Sequence, residues 1–279
     1  MARYGIGAIA LAVATAGAFA LGIGVAQAPA PAVVQSSDAL PPVPAALAAP
    51  SAPTLPADER AAFEQVIRDY LIENPEVLVE AFSVLEERQM LAEAQADFDR
   101  VRANADALWN DPESWVGGNL EGEITIVEFV DYKCGFCKRA KPEVDALVAA
   151  NADVRIIRKE FPILGPESVL ASRAALAVLR TEGPDAYASL SDQLMSFTGT
   201  VTESVLRRFA ERAGADPDAM FAQMDSVEIS RQIQSNRALA QRLGITGTPS
   251  FIFGERLVRG FLPQAQMEQT LELIRNINN

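Results

Sequence analysis

The feature that most constrains the fold is a run of seven mostly apolar residues, Ile124–Val130, that ends just before a pair of cysteines. Such a run is typical of a strand buried on both faces of a parallel sheet. A helical pattern at residues 138–150 and a short apolar stretch at 154–157 follow it. Strand, helix and strand in this order predict a β-α-β unit with parallel strands. The first cysteine, Cys134, then lies where the first strand gives way to the helix.

Helical patterns dominate the chain beyond this unit. Residues from about 164 to 243 have helical periodicity, broken by glycine and proline turn signals. Strands return at 250–253 and 257–258 with a hairpin turn between them, and a last helix is predicted at 262–277. Residues 111–122, before the first strand, are rich in turn formers and predict a connector. We therefore expect an α/β fold in which a helical insertion separates two halves of one sheet.

A helical segment at residues 58–110 precedes the sheet. Its first helix is expected to end at Asn74-Pro75, because asparagine caps helices and proline suits their first position. A second helix is predicted at 75–108, with a narrow apolar stripe between charged residues. The stripe includes Leu78, Phe82, Leu85, Phe98 and Val101. Such a stripe needs a partner, so we expect self-association through residues 58–108; packing of the helix on its own domain is the alternative.

The start of the chain has the pattern of an export signal at residues 1–28. Arg3 provides a positive start, residues 6–25 are apolar, and an A-x-A cleavage motif ends at Ala28. We expect cleavage, with an uncleaved membrane anchor as the alternative. Both outcomes put the remaining chain across the membrane, where disulfides are permitted. Residues 29–57 are rich in proline and alanine and predict a disordered or semi-rigid linker.

The composition excludes several kinds of chemistry. The chain has no histidine, so mechanisms that need an imidazole base or ligand are excluded. It has only two cysteines, and this C-x-x-C is half of a four-thiolate zinc site at most. Zinc shared between two copies is the alternative; otherwise we expect neither a metal nor a cofactor. The net charge of −13 repels phosphate backbones, so we expect no nucleic-acid partner.

The two cysteines suit the exchange of thiols and disulfides with other proteins. A thiolate at a helix start is stabilised by unpaired backbone N–H groups and by the helix dipole. We therefore expect the pKa of Cys134 to lie within roughly 3.5–7.5, the range of such sites, and Cys134 to attack as the nucleophile. Cys137, one helical turn further, would resolve the mixed disulfide, which leaves a redox disulfide between Cys134 and Cys137.

Two further features accompany the cysteines. Glu128 lies within the apolar strand, where desolvation raises the pKa of a carboxylate and suits it to accept the proton of Cys137. The alternative is that Glu128 points to solvent from an edge strand. Thr248-Pro249 comes directly before the strand at 250–253, a position that suits proline. An ordinary trans turn and a cis bond are both compatible with that position.

These features together resemble the thioredoxin superfamily, specifically the DsbA-like branch of bacterial periplasmic disulfide proteins. The shared features are C-x-x-C at a helix start, an acidic residue six positions earlier, a Thr-Pro dipeptide opening a late strand, and a helical insertion. The resemblance implies a thioredoxin fold over residues 111–279, with the insertion at about 164–243. It also implies a periplasmic location, a cis bond at Pro249, and binding of substrate by Thr248, Pro249 and Phe136.

The upstream helices are similar to those of ScsC-like suppressor-of-copper-sensitivity proteins and related oligomeric disulfide isomerases. This resemblance implies a homo-oligomer assembled through residues 58–108. Phe136 stands where DsbA carries histidine, which implies a less oxidising disulfide. The expected function is therefore a disulfide isomerase or reductase of exported proteins, kept reduced by a membrane electron carrier resembling DsbD.

Two other functions are compatible with the same residues. The first is a monomeric dithiol oxidase that donates its disulfide to reduced proteins. The second is a copper-binding or chaperone module, since two thiolates suffice to bind Cu(I).

Overall fold

The computed structural model describes residues 56–278, which divide between Ile67 and Arg68 into two compact units. The strands are β1 (Trp115–Gly118), β2 (Ile124–Val130), β3 (Val154–Glu160), β4 (Ser250–Phe253) and β5 (Arg256–Arg259). The helices are α1 (Ala57–Glu73), α2 (Glu76–Ala103), α3 (Ala105–Trp109), α4 (Gly135–Ala150), α5 (Pro166–Thr181), α6 (Pro184–Ser196), α7 (Glu203–Arg212), α8 (Pro217–Met224), α9 (Val227–Arg242) and α10 (Gln264–Asn278). The predicted export signal and nearly all of the predicted linker lie outside the described residues.

The strands form one mixed sheet in the order β1-β3-β2-β4-β5. β2 and β3 are parallel and are joined through α4, so the predicted β-α-β unit is confirmed. β1, β4 and β5 each pair antiparallel with their neighbours. β2 lies between β3 and β4, and apart from Thr125 its side chains are buried, because both faces of the sheet are covered.

The helical insertion consists of α5 to α9 and lies between β3 and β4 in the chain, as predicted. It builds a core of its own that also includes both cysteines; central members are Ala174, Leu190, Leu206, Met220 and Ile229. The pattern of residues 219–243 predicts a single helix, but the structure has two helices here, α8 and α9. The break occurs because Ser226 caps α9, where its hydroxyl accepts the backbone N–H of Ile229.

The predicted connector at 111–122 contains a strand, which is a further difference from the sequence prediction. β1 pairs antiparallel with β3, and its Trp115 ring stacks on Tyr187 with centroids 5.6 Å apart. The indole N–H of Trp115 also donates to the carbonyl of Pro184. These partners lie some seventy positions away in sequence, so the local turn-rich composition is overridden by tertiary contacts.

The end of α2 is attached to the sheet, whereas its beginning is not. The Asp97 carboxylate accepts two hydrogen bonds from Arg259 on β5, at 2.6 and 2.8 Å, and Val101 is fully buried. Toward the helix start, Leu78, Phe82 and Leu85 remain 43–64% exposed. The predicted apolar stripe therefore packs on the chain's own domain only at its C-terminal end. The predicted helix at 75–108 also stops earlier, at Ala103, and α3 follows it.

Of the helices between residues 56 and 278, none combines the length and apolar character that crossing a bilayer requires.

Candidate dithiol active site

Cys134 occupies the N-cap position of α4, with its backbone still extended (φ −75°, ψ 115°). The helix begins at Gly135, three residues earlier than the sequence pattern predicted, so both cysteines lie at its first turn. The Cys134 thiol donates to the backbone carbonyl of Thr248 over 3.1 Å. Both cysteines are buried and free, so the structure describes the reduced dithiol.

The environment of Cys134 favours its thiolate. Hydrogen bonds lower the pKa of Cys134 to about 5, first from the Cys137 thiol and then from Thr248 and the backbone N–H groups of Cys137 and Phe136, while burial opposes them. This pKa lies within the range expected from the sequence. Thr248 Oγ1 is buried and has no partner in the dithiol form. When Cys134 ionises it turns from donor to acceptor, and this hydroxyl is then a donor available to it.

Cys137 experiences the opposite environment. Burial raises the pKa of Cys137 well above that of a free thiol, and the charges of Cys134 and Glu128 raise it further. At neutral pH the pair therefore consists of one thiolate and one thiol. Such an asymmetric pair has an outer nucleophile ready to attack and an inner thiol that reacts only after losing its proton.

Asp131 holds the loop between β2 and α4 in place. Its buried carboxylate accepts the backbone N–H groups of Lys133, Ile163 and Leu164, at 2.8 to 3.0 Å, and its carbonyl accepts the N–H of Cys134. The cysteine loop is thereby tied to the segment that follows β3. Asp131 was not predicted from the sequence, although an aspartate directly after a buried strand is a signal for such a turn.

Glu128 is buried in the middle of the sheet and is 1% exposed. The alternative in which it faces solvent from an edge strand is wrong, because β2 is paired on both sides. Arg158 lies beside it on β3 and donates through Nε to the carboxylate over 3.1 Å. Glu128 is thus an ion-paired carboxylate whose charge still influences the thiol of Cys137. Arg158 could not be identified from the sequence, since only the strand register shows that the side chains of Glu128 and Arg158 meet.

A second buried carboxylate connects the site to the helical insertion. Glu160 accepts hydrogen bonds from the hydroxyls of Tyr132, Tyr187 and Ser172, which lie on the cysteine loop, α6 and α5. Burial raises the pKa of Glu160. Ser191, on α6, joins this group to Arg158 through a hydrogen bond of 3.0 Å. The sheet, the cysteine loop and the insertion therefore share one polar network beneath the dithiol.

The remaining predicted site residues are Thr248 and Pro249, in the loop before β4, and Phe136, in the first turn of α4. The Thr248–Pro249 peptide bond is cis, and Pro249 is buried at the start of β4. Phe136 is 54% exposed, and the Arg139 guanidinium lies over its ring at 4.4 Å from the centroid. The backbone carbonyl of Thr248 accepts a hydrogen bond from Cys134, so Thr248 contacts the dithiol directly. Phe136 presents an apolar surface next to the dithiol.

Residues 125–272 match the family model of the DSBA-like thioredoxin domain, which is more than half of the chain. The chain belongs to this family. Residues 59–90 match a second model, the copper resistance protein ScsC N-terminal domain. The predictions of a DsbA-like thioredoxin fold and of an ScsC-like N-terminal segment are therefore confirmed.

Known proteins of several bacteria are similar to this DsbA-like chain. A thioredoxin-like oxidoreductase from Silicibacter pomeroyi DSS-3 is 42% identical, covers 61% of this chain and 97% of its own, and has a TM-score of 0.58. Proteus mirabilis ScsC in a transitional conformation is 28% identical, with 78% and 97% covered and a TM-score of 0.58. The thiol:disulfide interchange protein DsbA of Bordetella pertussis is 27% identical over 143 residues, 48% of this chain and 65% of that protein.

The DsbA-like chain also matches parts of much longer proteins. It spans 22–26% of the length of three curated relatives named as Na(+)/H(+) antiporters, among them one from Salinispora tropica. The match to the Salinispora tropica antiporter covers 52% of this chain.

Within the part of the chain that the structure describes, no group of three or more metal-binding side chains comes together. A cavity of about 740 Å³ lies between α2, the β4–β5 hairpin and α10, but neither cysteine lines it.

Proposed function

We propose that this chain catalyses thiol:disulfide exchange in exported proteins, in the periplasm, and that it acts as a disulfide isomerase or reductase. One observation carries the proposal: a helix-capping cysteine with a pKa of about 5 lies next to a buried cysteine whose pKa is raised. At neutral pH this pair offers a nucleophile without needing a base to activate it.

Exchange begins at Cys134. Its thiolate attacks one sulfur of a substrate disulfide, forms a mixed disulfide, and expels the other substrate sulfur as a thiolate. The Thr248–Pro249 loop and Phe136 are proposed to hold the substrate beside Cys134. In isomerisation, the expelled thiolate attacks a further substrate disulfide and frees a different substrate thiolate. A substrate thiolate then attacks the substrate sulfur of the mixed disulfide and expels Cys134 as a thiolate, so the number of substrate disulfides is unchanged.

Reduction adds a second step, at Cys137. The charge on Cys134 is lost in the mixed disulfide, so one influence that raises the pKa of Cys137 disappears when Cys137 must ionise. We assign Glu128 the role of accepting this proton, directly or through a water. The Cys137 thiolate then attacks Cys134, releases the reduced substrate thiolate, and leaves the enzyme as a disulfide. Two electrons from a membrane carrier resembling DsbD would restore the dithiol.

Two features support the isomerase or reductase direction. Phe136 provides no histidine between the cysteines, and residues 59–90 match the ScsC N-terminal domain. The same region carries exposed apolar side chains, which supports a homo-oligomer assembled through residues 58–108. Several dithiols in one assembly would suit the correction of wrongly paired disulfides, because one substrate could be engaged at several sulfurs.

A dithiol oxidase is the second candidate, and the low pKa of Cys134 favours it. Stabilising the thiolate stabilises the reduced form, so it makes the disulfide a stronger oxidant. Copper binding by the two thiolates is a third candidate, supported by the name of the matched N-terminal family.

Refolding assays with single-cysteine variants separate these functions. We expect the reduced chain to restore activity to a scrambled multi-disulfide protein, and Cys137→Ser to retain part of this isomerisation, since only Cys134 is needed. Cys134→Ser should abolish it. Faster oxidation of a reduced protein by the disulfide form, without isomerisation by the dithiol form, would favour the oxidase. Failure of both assays, together with tight Cu(I) binding, would overturn the enzymatic function.

A further inference from the structure

We propose that the surface around Cys134 selects substrate cysteines flanked by acidic residues, and that Arg139 makes this selection. The proposal rests on the proposed exchange at Cys134 and adds a substrate class to it. The partner is an extended, cysteine-containing segment of an unfolded or misfolded protein with carboxylates near the cysteine.

Arg139 is held in an open position on the first turns of α4. Its guanidinium lies 4.4 Å from the ring centroid of Phe136 and 5.5 Å from that of Phe261, and the residue is exposed. Stacking occupies a face of the guanidinium and leaves N–H groups at its edge free to bind a carboxylate. Among the described residues, no carboxylate lies within ion-pairing distance of Arg139. A fixed cation without a counter-ion is thus available beside the nucleophile.

Two other cations near the dithiol also lack carboxylate partners among residues 56–278. Lys138 donates to the carbonyl of Phe197, and burial lowers the pKa of Lys138. Arg237 donates to the carbonyl of Pro162 over 2.6 Å, in the segment that Asp131 ties to the cysteine loop.

The other charged side chains around the loop are already ion-paired or buried. Lys133 pairs with Glu167 at 2.9 Å, and Lys141 pairs with Asp145 and Asp192. The Asp131 carboxylate is buried and accepts three backbone N–H groups, so it does not face a substrate. In a chain of net charge −13, Arg139 is therefore an exposed cation next to Phe136 with no carboxylate ion pair among the described residues.

This positive charge is not what activates Cys134. The leading causes of the lowered pKa of Cys134 are hydrogen bonds, from Cys137, Thr248 and the backbone at Phe136. Arg139 can therefore act on the substrate without being needed to lower the pKa of Cys134. Because an exposed charge pair contributes roughly 0.2–1 kcal/mol, we expect a preference of about fivefold or less, which salt should weaken.

Two peptides that differ only in charge test the proposal. Each has one central cysteine activated as a neutral pyridyl disulfide, with two glutamates or two lysines placed near it. Release of thiopyridone by the reduced full-length chain gives the two rate constants, since attack on the peptide sulfur breaks the disulfide and expels the thiopyridone. Their ratio is divided by the ratio obtained with 2-mercaptoethanol, which corrects for the reactivity of the peptides themselves.

We expect the corrected ratio to favour the acidic peptide by up to about fivefold at ~20 mM ionic strength, and to approach one at ~0.5 M. Arg139→Ala should reduce the preference, and Arg139→Glu should abolish or reverse it. Arg208 provides a matched control, because it is exposed and stacks on Phe209 at 5.4 Å on the helical insertion. Arg208→Ala should keep the parent ratio.

The outcomes distinguish this proposal from the function it rests on. Equal corrected rates for both peptides at low salt, or an equal loss of preference in Arg208→Ala, would overturn the selection of acidic substrates while exchange itself stands. No release from either peptide would instead contradict the exchange activity.

Discussion

At the scale of single residues, the two thiols share one helical turn and yet differ in the ease of ionisation. Cys134 caps the helix and receives hydrogen bonds that stabilise its thiolate, whereas Cys137 is buried beneath it. The difference arises because Cys134, at the N-cap, meets the unpaired backbone N–H groups of the helix start, whereas Cys137, three residues later, faces the core. C-x-x-C spacing at a helix start therefore places the two thiols in different environments, and Thr248 adds to the difference.

A substitution of Thr248 tests whether its hydroxyl group helps to lower the pKa of Cys134. Thr248→Val keeps the shape of the side chain and removes the hydroxyl donor, and a hydrogen bond to a charged group contributes roughly 1.5–3 kcal/mol. We expect the pKa of Cys134 to rise from about 5 toward that of an ordinary thiol. Ultraviolet titration of the thiolate measures this. Thr246→Val, at an exposed position two residues earlier, is the control, and an equal pKa in the parent and Thr248→Val would contradict the assignment.

A substitution of Glu128 tests whether this carboxylate accepts the proton of Cys137. Glu128→Gln should slow resolution of a mixed disulfide on Cys134 by about 10²-fold or more, since general base catalysis contributes that much, and should change its pH profile. Rapid-quench measurement of the resolution step checks this. Glu160→Gln is a matched control, because Glu160 is an equally buried carboxylate of the same sheet. Equal slowing in both variants would indicate a structural effect, and an unchanged Glu128→Gln profile would remove Glu128 from the mechanism.

The sequence was informative about residues whose role depends on local position. Cys134 and Cys137 are recognisable from their spacing, and Glu128 from the oddity of a charge in an apolar strand. Arg158 and Glu160 were missed because their partners come from strands and helices about thirty positions away. Sequence pattern shows that a carboxylate is buried, but only the register between strands shows what compensates it.

At the scale of elements, the strands buried on both faces were the best predicted, because a continuous apolar run has few other uses in a short segment. β2 and β4 have the predicted bounds. β1 was missed because Val116 and its glycine neighbours form a strand only through pairing with β3. The predicted alternative, packing of α2 on its own domain, applies at the C-terminal end, where Val101 is buried. Leu78, near the other end, is exposed, and self-association through it stays a prediction.

The exposed part of α2 provides a test of assembly. If residues 58–108 join copies of the chain, Phe82→Glu with Leu85→Glu should lower the mass in solution to that of a monomer, because charges do not bury well in an apolar seam. Light scattering measures the mass. Val227→Glu is the control, since Val227 is 75% exposed and lies on the insertion. A monomeric parent chain, or a double variant of unchanged mass, would contradict assembly through this stripe.

At the scale of the whole molecule, the chain combines a DsbA-like domain over residues 125–272 with a match to the ScsC N-terminal domain at 59–90. The domain supplies the dithiol, and the preceding helices supply exposed apolar surface. Family resemblance and local pattern together sufficed to predict this architecture. The direction of electron flow was not predictable in the same way, because it depends on the small free-energy difference between the dithiol and the disulfide.

The stability of the reduced chain should depend on pH through Cys134. The pKa is about 5 in the folded chain and about 8.5 in an unfolded one, so between these values the unfolded chain binds more protons. Stability should therefore rise with pH from about 5 to 8.5, and this contribution should be lost as the pH falls through 5. Denaturant unfolding across this window measures the slope relative to Cys134→Ser, which should lack the contribution. Identical pH dependence in the two chains would contradict it.

The division of labour between the two thiols is tested most directly by the thiolate absorbance of the reduced chain at 240 nm, followed from pH 3 to pH 9. We expect one thiolate that appears with a midpoint near pH 5 and disappears in Cys134→Ser, while Cys137 remains a thiol throughout. Ionisation only above pH 8, or two thiolates that appear together, would contradict the division into a nucleophilic and a resolving cysteine.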